Sequence, residues 1–467
     1  MNRTTLLPIA FAAVLTAGTA SAETLRWAND GDVLTLDPYA HTESFTAAFL
    51  HHIYEPLVRR DADLKFEPAL ATSWEIVEPT RVRFTLREGV TFQNGNPFTA
   101  DDVVASITRM LDPDSRSRGN LSSVEKAEKV DDYTVDMVLK EPSPLLLNDL
   151  SGVFIMDKEW MEENDALKPG NTSTGAVTYA SDHAMGTGPF MLESRTPDAK
   201  TVLKANPDWW DEAAHNIDTI EFTPIGSDAT RVAALLSGEV DVITPSPLQD
   251  TQRLEAADGI NVLQDPELRT IMLGLNHGDD ELDAAPGTGF NPTKDVRVRE
   301  ALWRAIDMDA IVAKVMRGKA RVAGLMIAPP ITGYVAEDDV KPEFDPAKAK
   351  ALLEEAGYGD GFTMGLDCSN DRYVNDEEIC LAIASMWKNI GIDVKLTAQT
   401  KGNHFPKVDR GETDAYMIGW ATLPAMDGYS PLRAMLADAK GRGWSLMIFV
   451  PGSGTISAQG LPPAEDP

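Results

Sequence analysis

From Ile220 to Thr244 the chain reads IEFTPIGSDATRVAALLSGEVDVIT. Ile220 to Ile225 is a short, largely apolar run with the character of a strand. Asp228 stands where a helix N-cap is wanted, and the helix it opens ends at Leu236-Ser237-Gly238. Gly238 can take the left-handed angles of a C-terminal cap, and Val240 to Thr244 is the next strand. Strand, helix and strand in immediate succession place the chain in the α/β class.

The same alternation extends in both directions. Leu25 to Ala28 reads as a short strand, and Phe45, Phe49 and Ile53 then recur every fourth residue on one helical face. Val82, Phe84 and Leu86 alternate with Arg81, Arg83 and Thr85, which predicts a half-buried strand, and Asn94-Gly95 makes a turn. Thr99-Ala100-Asp101-Asp102 is a capping box ahead of Val103, Val104 and Ile107. Tyr133, Val135, Met137 and Leu139 alternate again until Pro142 and Pro144 stop the strand. Asp295 to Arg317 reads as one long helix closed by Gly318, and Asp345-Pro346 opens another that Gly357 ends. Phe362 to Asp367, Ile392 to Ala398 and Asp414 to Trp420 are strands, with a helix from Glu377 to Ile390 between the first two. The segment Pro169 to Met185 is a loop, and no internal repeat is visible.

The first 22 residues stand apart. Arg3, the apolar run Leu6 to Ala17 and the small-x-small pattern Ala20-Ser21-Ala22 form a secretory signal peptide. Cleavage before Glu23 leaves about 445 residues, enough for two or three domains. The only cysteines are Cys368 and Cys380, so no lipoprotein cysteine follows the cleavage site and the expected location is the periplasm. In that oxidising compartment the two are expected to form a disulfide, closing a short loop as a structural staple. The net charge of −31 argues against nucleic acid as a partner, because phosphates need a basic face. Otherwise it speaks for solubility and for compatibility with cationic or zwitterionic ligands.

A set of ordered motifs then carries a resemblance. Leu70-Ala71-Thr72-Ser73-Trp74-Glu75 is followed by Leu86-Arg87-Glu88-Gly89-Val90 and Pro97-Phe98-Thr99-Ala100-Asp101-Asp102-Val103. Next come Gly186-Thr187-Gly188-Pro189-Phe190, Asn206-Pro207-Asp208-Trp209-Trp210, Gly274-Leu275-Asn276 and Asp295-Val296-Arg297-Val298-Arg299-Glu300-Ala301-Leu302. Glu355-Ala356-Gly357-Tyr358 and Asp414-Ala415-Tyr416 with Gly419-Trp420 complete the series. From about Thr24 to Ala437 the chain resembles family 5 of the bacterial extracellular solute-binding proteins, the dipeptide, oligopeptide and nickel type. Most of these residues are scaffold: Gly188 and Gly238 supply backbone freedom, while Trp74 and Phe92 fill cores.

The resemblance implies a two-lobed periplasmic-binding-protein fold, type II and cluster C-like, with an extra subdomain in the first lobe. The expected division is 23–62 with 187–275 for the core of the first lobe, 63–186 for the inserted subdomain and 276–437 for the second lobe. It also implies a monomer that encloses a short peptide or similar solute between its lobes and delivers it to an ABC permease, without cofactor or metal. In such relatives a carboxylate anchors the free amine and aromatic rings line the pockets. Trp420 matches a cleft-facing aromatic. The run after it, Ala421 to Met426, is apolar, so the first carboxylate is Asp427, which is either the amine anchor or a solvated loop carboxylate. Asp37, Tyr39 and the segment Arg269 to Asn276 are weaker pocket candidates.

Other classes fit less well. His41, His51 and His52 lie on or beside one helix, where neighbouring side chains diverge by about 100°, so they do not converge on one metal. No Gly-x-Ser-x-Gly elbow and no His-Glu-x-x-His is present, and Asp101-Asp102 and Asp279-Asp280 read as a helix start and a loop, so the chain is not read as an enzyme. Opines, sugars and nickel or haem chelates remain alternative cargoes. Residues 438–467, rich in Gly, Pro and Ser, read as an atypical, disordered tail of the kind left by a frameshift or truncation.

Overall fold

The computed structural model describes residues 23–432 apart from 265–266, 330, 342 and 423–425. The proposed signal peptide and the tail after residue 437 therefore lie outside the described residues. Fifteen strands are present among those described: β1 (Glu23–Asn29), β2 (Val58–Arg60), β3 (Phe66–Pro68), β4 (Ala71–Glu78), β5 (Arg81–Leu86), β6 (Val124–Asp131), β7 (Thr134–Leu139), β8 (Phe190–Thr196), β9 (Lys200–Ala205), β10 (Ile217–Pro224), β11 (Val242–Thr244), β12 (Arg269–Leu275), β13 (Phe362–Ser369), β14 (Ile392–Gln399) and β15 (Ala415–Ala421).

The first sheet has the order β11-β1-β10-β9-β8. β1 runs parallel to both β10 and β11, with Trp27 opposite Phe222 and Ala28 opposite Ile243. The helix Asp228–Ser237 makes the crossover between β10 and β11, so the stretch Ile220 to Thr244 is a strand–helix–strand unit. Its N-cap is Ser227, one residue before the expected Asp228, because the Ser227 hydroxyl accepts from Thr230 N. Gly238 caps the other end in the left-handed conformation at φ 74°. The face of this sheet is aromatic: the Trp27 ring lies 4.9 Å from Phe222 and 5.9 Å from Phe49 on the helix Ser44–Leu50.

β4, β5, β7 and β6 form a separate antiparallel sheet. Val82, Phe84 and Leu86 face its core, while Arg81 and Arg83 converge from the other side on the buried Asp136 at 3.0 and 2.7 Å. The helix Ala100–Met110 covers this core, and Thr99 and Asp102 form both halves of its capping box. One continuous apolar cluster joins this unit to the first sheet, from Val33 to Phe222. Gly186 and Gly188 sit at the junction. Neither is at positive φ, so close approach rather than backbone angle explains them: a Cβ would fall 2.1 and 2.7 Å from Ile53 backbone atoms.

The second α/β sheet has the order β12-β15-β13-β14, with β12 antiparallel to β15 along its whole length. Its hydrogen bonding places β12 with the second sheet, although the sequence reading ended the first lobe at residue 275. Met364, Leu366, Ile392 and Met417 pack with the helix Asp376–Lys388, where Trp387 donates its indole N–H to Leu302 O at 2.8 Å. Cys368 at the end of β13 is bridged to Cys380 on that helix. The long helix expected from Asp295 to Arg317 is interrupted: a helix spans Val296–Arg304, and Asp307 then caps a new short helix by accepting from Ala310 N. The aspartate side chain satisfies a backbone donor that an unbroken helix would have used itself.

Candidate functional site

The parallel strands β1 and β11 end at Asn29 and Thr244, and β13 and β14 end at Ser369 and Gln399. In open α/β sheets the residues just past such strand ends form the ligand crevice. A cavity of about 200 Å³ lies there, between the two sheets. One wall is Asn29, Asp30, Phe45, Thr244 and Pro245; the other is Glu267, Arg269, Asp371, Arg372, Tyr373, Val374 and Lys401.

The first wall is held from its strands. The Trp27 indole donates to Thr244 Oγ1 at 2.6 Å, and that hydroxyl donates to Asn29 Oδ1 at 2.9 Å. Asn29 Nδ2 in turn donates to Asp30 Oδ1 at 2.9 Å, which fixes the carboxylate at the cavity. Burial pushes the Asp30 carboxyl up to about 7, with Arg231 and Lys401 only partly opposing it. Burial also raises the Asp371 carboxyl.

The second wall is a cationic cluster set on an aromatic ring. Arg269 and Arg372 lie 5.5 and 4.9 Å from the Tyr373 ring centre. Both donate to Ser44 Oγ, at 2.8 and 2.7 Å, and so reach across to the first wall. Arg269 also pairs with Glu267 at 2.6 Å. Lys401 is buried, with its ammonium 4.9 Å from the Phe45 ring and 3.8 Å from Glu43 Oε2. Arg372 Nε lies 2.6 Å from Glu43 Oε1, near in charge terms but off the hydrogen-bond direction. Tyr373 is anchored beneath by Gly419, whose N–H donates to its hydroxyl at 2.8 Å. The site therefore opposes carboxylates and cations across a small enclosed space, an arrangement for holding a charged polar solute.

The residues singled out from sequence fall largely elsewhere. Asp37 is wholly buried and accepts two hydrogen bonds of 2.6 Å from Arg109 and one of 2.8 Å from Gly170 N. Tyr39 is buried beside it and donates to Phe154 O. Both are core members rather than pocket residues, because every polar atom they offer is already engaged by the chain. Asn276, just past β12 at the end remote from Thr270 and Trp420, accepts from Gly278 N in the following loop and donates to Gly411 O. Asp427 pairs with Thr332 and accepts from Tyr429 N at 2.7 Å, the role of a turn-capping carboxylate. Trp420 is half-buried opposite Thr270 and packs against the small cluster that includes Met326 and Ile418, its indole N–H without a hydrogen-bond partner among the described residues. Of the segment Arg269 to Asn276, only Arg269 lines the cavity. Asp30, Asp371, Arg372 and Lys401 carry no motif, and only their position after strand ends could have pointed to them. Among the described residues no group of three or more His, Cys, Asp or Glu is placed to hold a metal. No helix among them is long and apolar enough to cross a membrane.

Two α/β sheets with a polar cavity between their strand ends define a periplasmic-binding-protein fold. The model of the Bacterial extracellular solute-binding proteins, family 5 Middle, matches residues 65–442. The chain belongs to that family, whose members are non-enzymatic solute carriers of ABC importers. The match runs past residue 437 and lends no support to a frameshifted or truncated end. A glutathione-binding protein of Salmonella paratyphi A is 29% identical over 395 residues, covering 83% of this chain and 72% of the relative. The dipeptide-binding protein of Escherichia coli K12 is 29% identical over 443 residues, covering 89% and 79%. Among solved structures, DppA of Helicobacter pylori with the peptide STSA superposes with TM-score 0.76 at 27% identity, covering 89% and 81%. AgaA of A. tumefaciens R10 with agropinic acid gives 0.71 at 27%, covering 85% and 77%.

Proposed function

We propose that the cavity between the sheets captures a short peptide, or a similar solute with a free amino group, and that the closed chain presents it to an ABC permease. The observation that carries this reading is the pairing of Asp30 with Asp371 at the cavity. Asp30 is held in place by Asn29, and neither carboxylate is in an ion pair among those identified for the described residues. A ligand ammonium entering between them would add to the countercharge that Arg231 and Lys401 supply only in part, in a water-poor space. The cavity, about 200 Å³, is smaller than the roughly 300–1,000 Å³ of sites for drug-sized ligands, which favours cargo of dipeptide size. The peptide-binding relatives support the same class.

On this reading the mature chain works as a monomer in the periplasm after loss of residues 1–22. The first sheet and its antiparallel extension form one lobe. β12 to β15 form the other, so the lobe boundary falls before Arg269 rather than after Leu275. A thermal melt of the mature chain with pooled di- and tripeptides tests the function. Free peptides at 100 times their dissociation constant should add about 2.7 kcal/mol of stability, and the N-acetylated pool almost none. Equal shifts from both pools would remove the amine anchor. No shift from either would move the search to opines such as agropinic acid, which AgaA holds.

A further inference from the structure

Glu43 lies just behind the cavity and is used from both sides. From its own lobe it caps the helix Ser44–Leu50, accepting from Phe45 N at 2.9 Å and from Thr46 N and Oγ1 at 2.7 Å each. From the other lobe Arg372 and Lys401 approach it at 2.6 and 3.8 Å. All three side chains are almost fully buried, at 2–9% exposure. Burial opposes the Glu43 charge, but Arg372, Lys401 and the Thr46 donors outweigh it and hold the carboxyl below its usual range. The cavity walls carry three carboxylates, Asp30, Glu267 and Asp371, against three cations, Arg269, Arg372 and Lys401. Glu43 adds a fourth carboxylate and takes up two of the cations, while Glu267 takes up Arg269.

We propose that Glu43 is a specificity-determining residue: an internal counter-carboxylate that fills the cationic wall, leaves the site with more carboxylates than cations, and selects ligands that bring a net positive charge. The inference rests on the cavity being the ligand site. The favoured cargo then has an ammonium and no unscreened carboxylate at that wall, as in peptides with a basic side chain or a blocked C-terminus. A free C-terminal carboxylate meets cations that are already neutralised.

The test compares a free dipeptide pool with the same pool C-terminally amidated, titrated calorimetrically into wild type and into Glu43→Gln. Wild type should bind the amidated pool more tightly. Glu43→Gln should shift the ratio of the two affinities toward the free acids by about tenfold or more, the equivalent of 1.4 kcal/mol. Glu43→Asn, whose side chain is also a strong helix cap, carries the same test if the glutamine variant does not fold. Glu43→Asp, which keeps the charge, should retain the wild-type preference. An affinity ratio that is the same in wild type and in the neutral variants would overturn the assignment while leaving peptide capture intact. Failure of wild type to bind either pool would instead count against the cavity's proposed ligand class, and the inference would fall with it.

Discussion

Asp30 and Asp37 follow the same strand, yet their neighbours give them opposite duties. Asp37 meets the guanidinium of Arg109 through both oxygens, out of water, and the ring of Tyr39 lies 5.4 Å from that guanidinium. Removing one partner of such a pair leaves the other charge stranded in a low-dielectric core. Asp37→Ala should therefore cost about 3–5 kcal/mol in urea unfolding. Peptide affinity of the remaining folded protein should change less than about twofold, since the sites share no partner. A large loss of affinity at unchanged stability would restore Asp37 to the pocket. Among the described residues no cation lies within bonding distance of the Asp30 carboxylate, which accepts instead from the side-chain amide of Asn29. Sequence could not separate the two, because an acid after a strand looks the same whether an arginine far along the chain reaches it or not.

Elements were easier to read than sites. β5, the capping box at Thr99 and the Gly238 cap are set by residues within one turn or one strand of each other, so local chemistry decides them. The helix expected from Asp295 to Arg317 failed where Asp307 offered a competing cap, a choice settled by the packing of Ile306 and Met386 beyond the local pattern. The bridge Cys368–Cys380 works at this scale too. It ties β13 to the helix Asp376–Lys388, and the loop between them carries Asp371, Arg372 and Tyr373. Reduction should destabilise the chain by about 3 kcal/mol, read as a lower urea midpoint with dithiothreitol than without. An unchanged midpoint would mean that packing alone holds this loop.

At the scale of the whole molecule, the site exists only because two separately built sheets present their strand ends to one another. Arg269, Arg372 and Lys401 reach Ser44 and Glu43 from residues hundreds of positions away in sequence, which is why the motif pattern revealed the scaffold and not the cavity. On the proposed function this cavity holds the ligand's ammonium against Asp30. Below pH 7 the Asp30 carboxyl, raised to about 7 by burial, is mostly protonated and offers no charge. Above it the carboxylate is ionised and attracts the ligand. Affinity should therefore rise with pH through that value and fall by up to about tenfold per unit below it. Calorimetric titration of the dipeptide pool from pH 5.5 to 7.5, below the range of about 7.7–8.0 in which the ligand's own α-amino group loses its proton, measures this directly in wild type and in Asp30→Asn. A rising affinity is expected in wild type and a flat, weaker one in Asp30→Asn; identical, pH-independent affinities in the two proteins would contradict capture of an ammonium by Asp30.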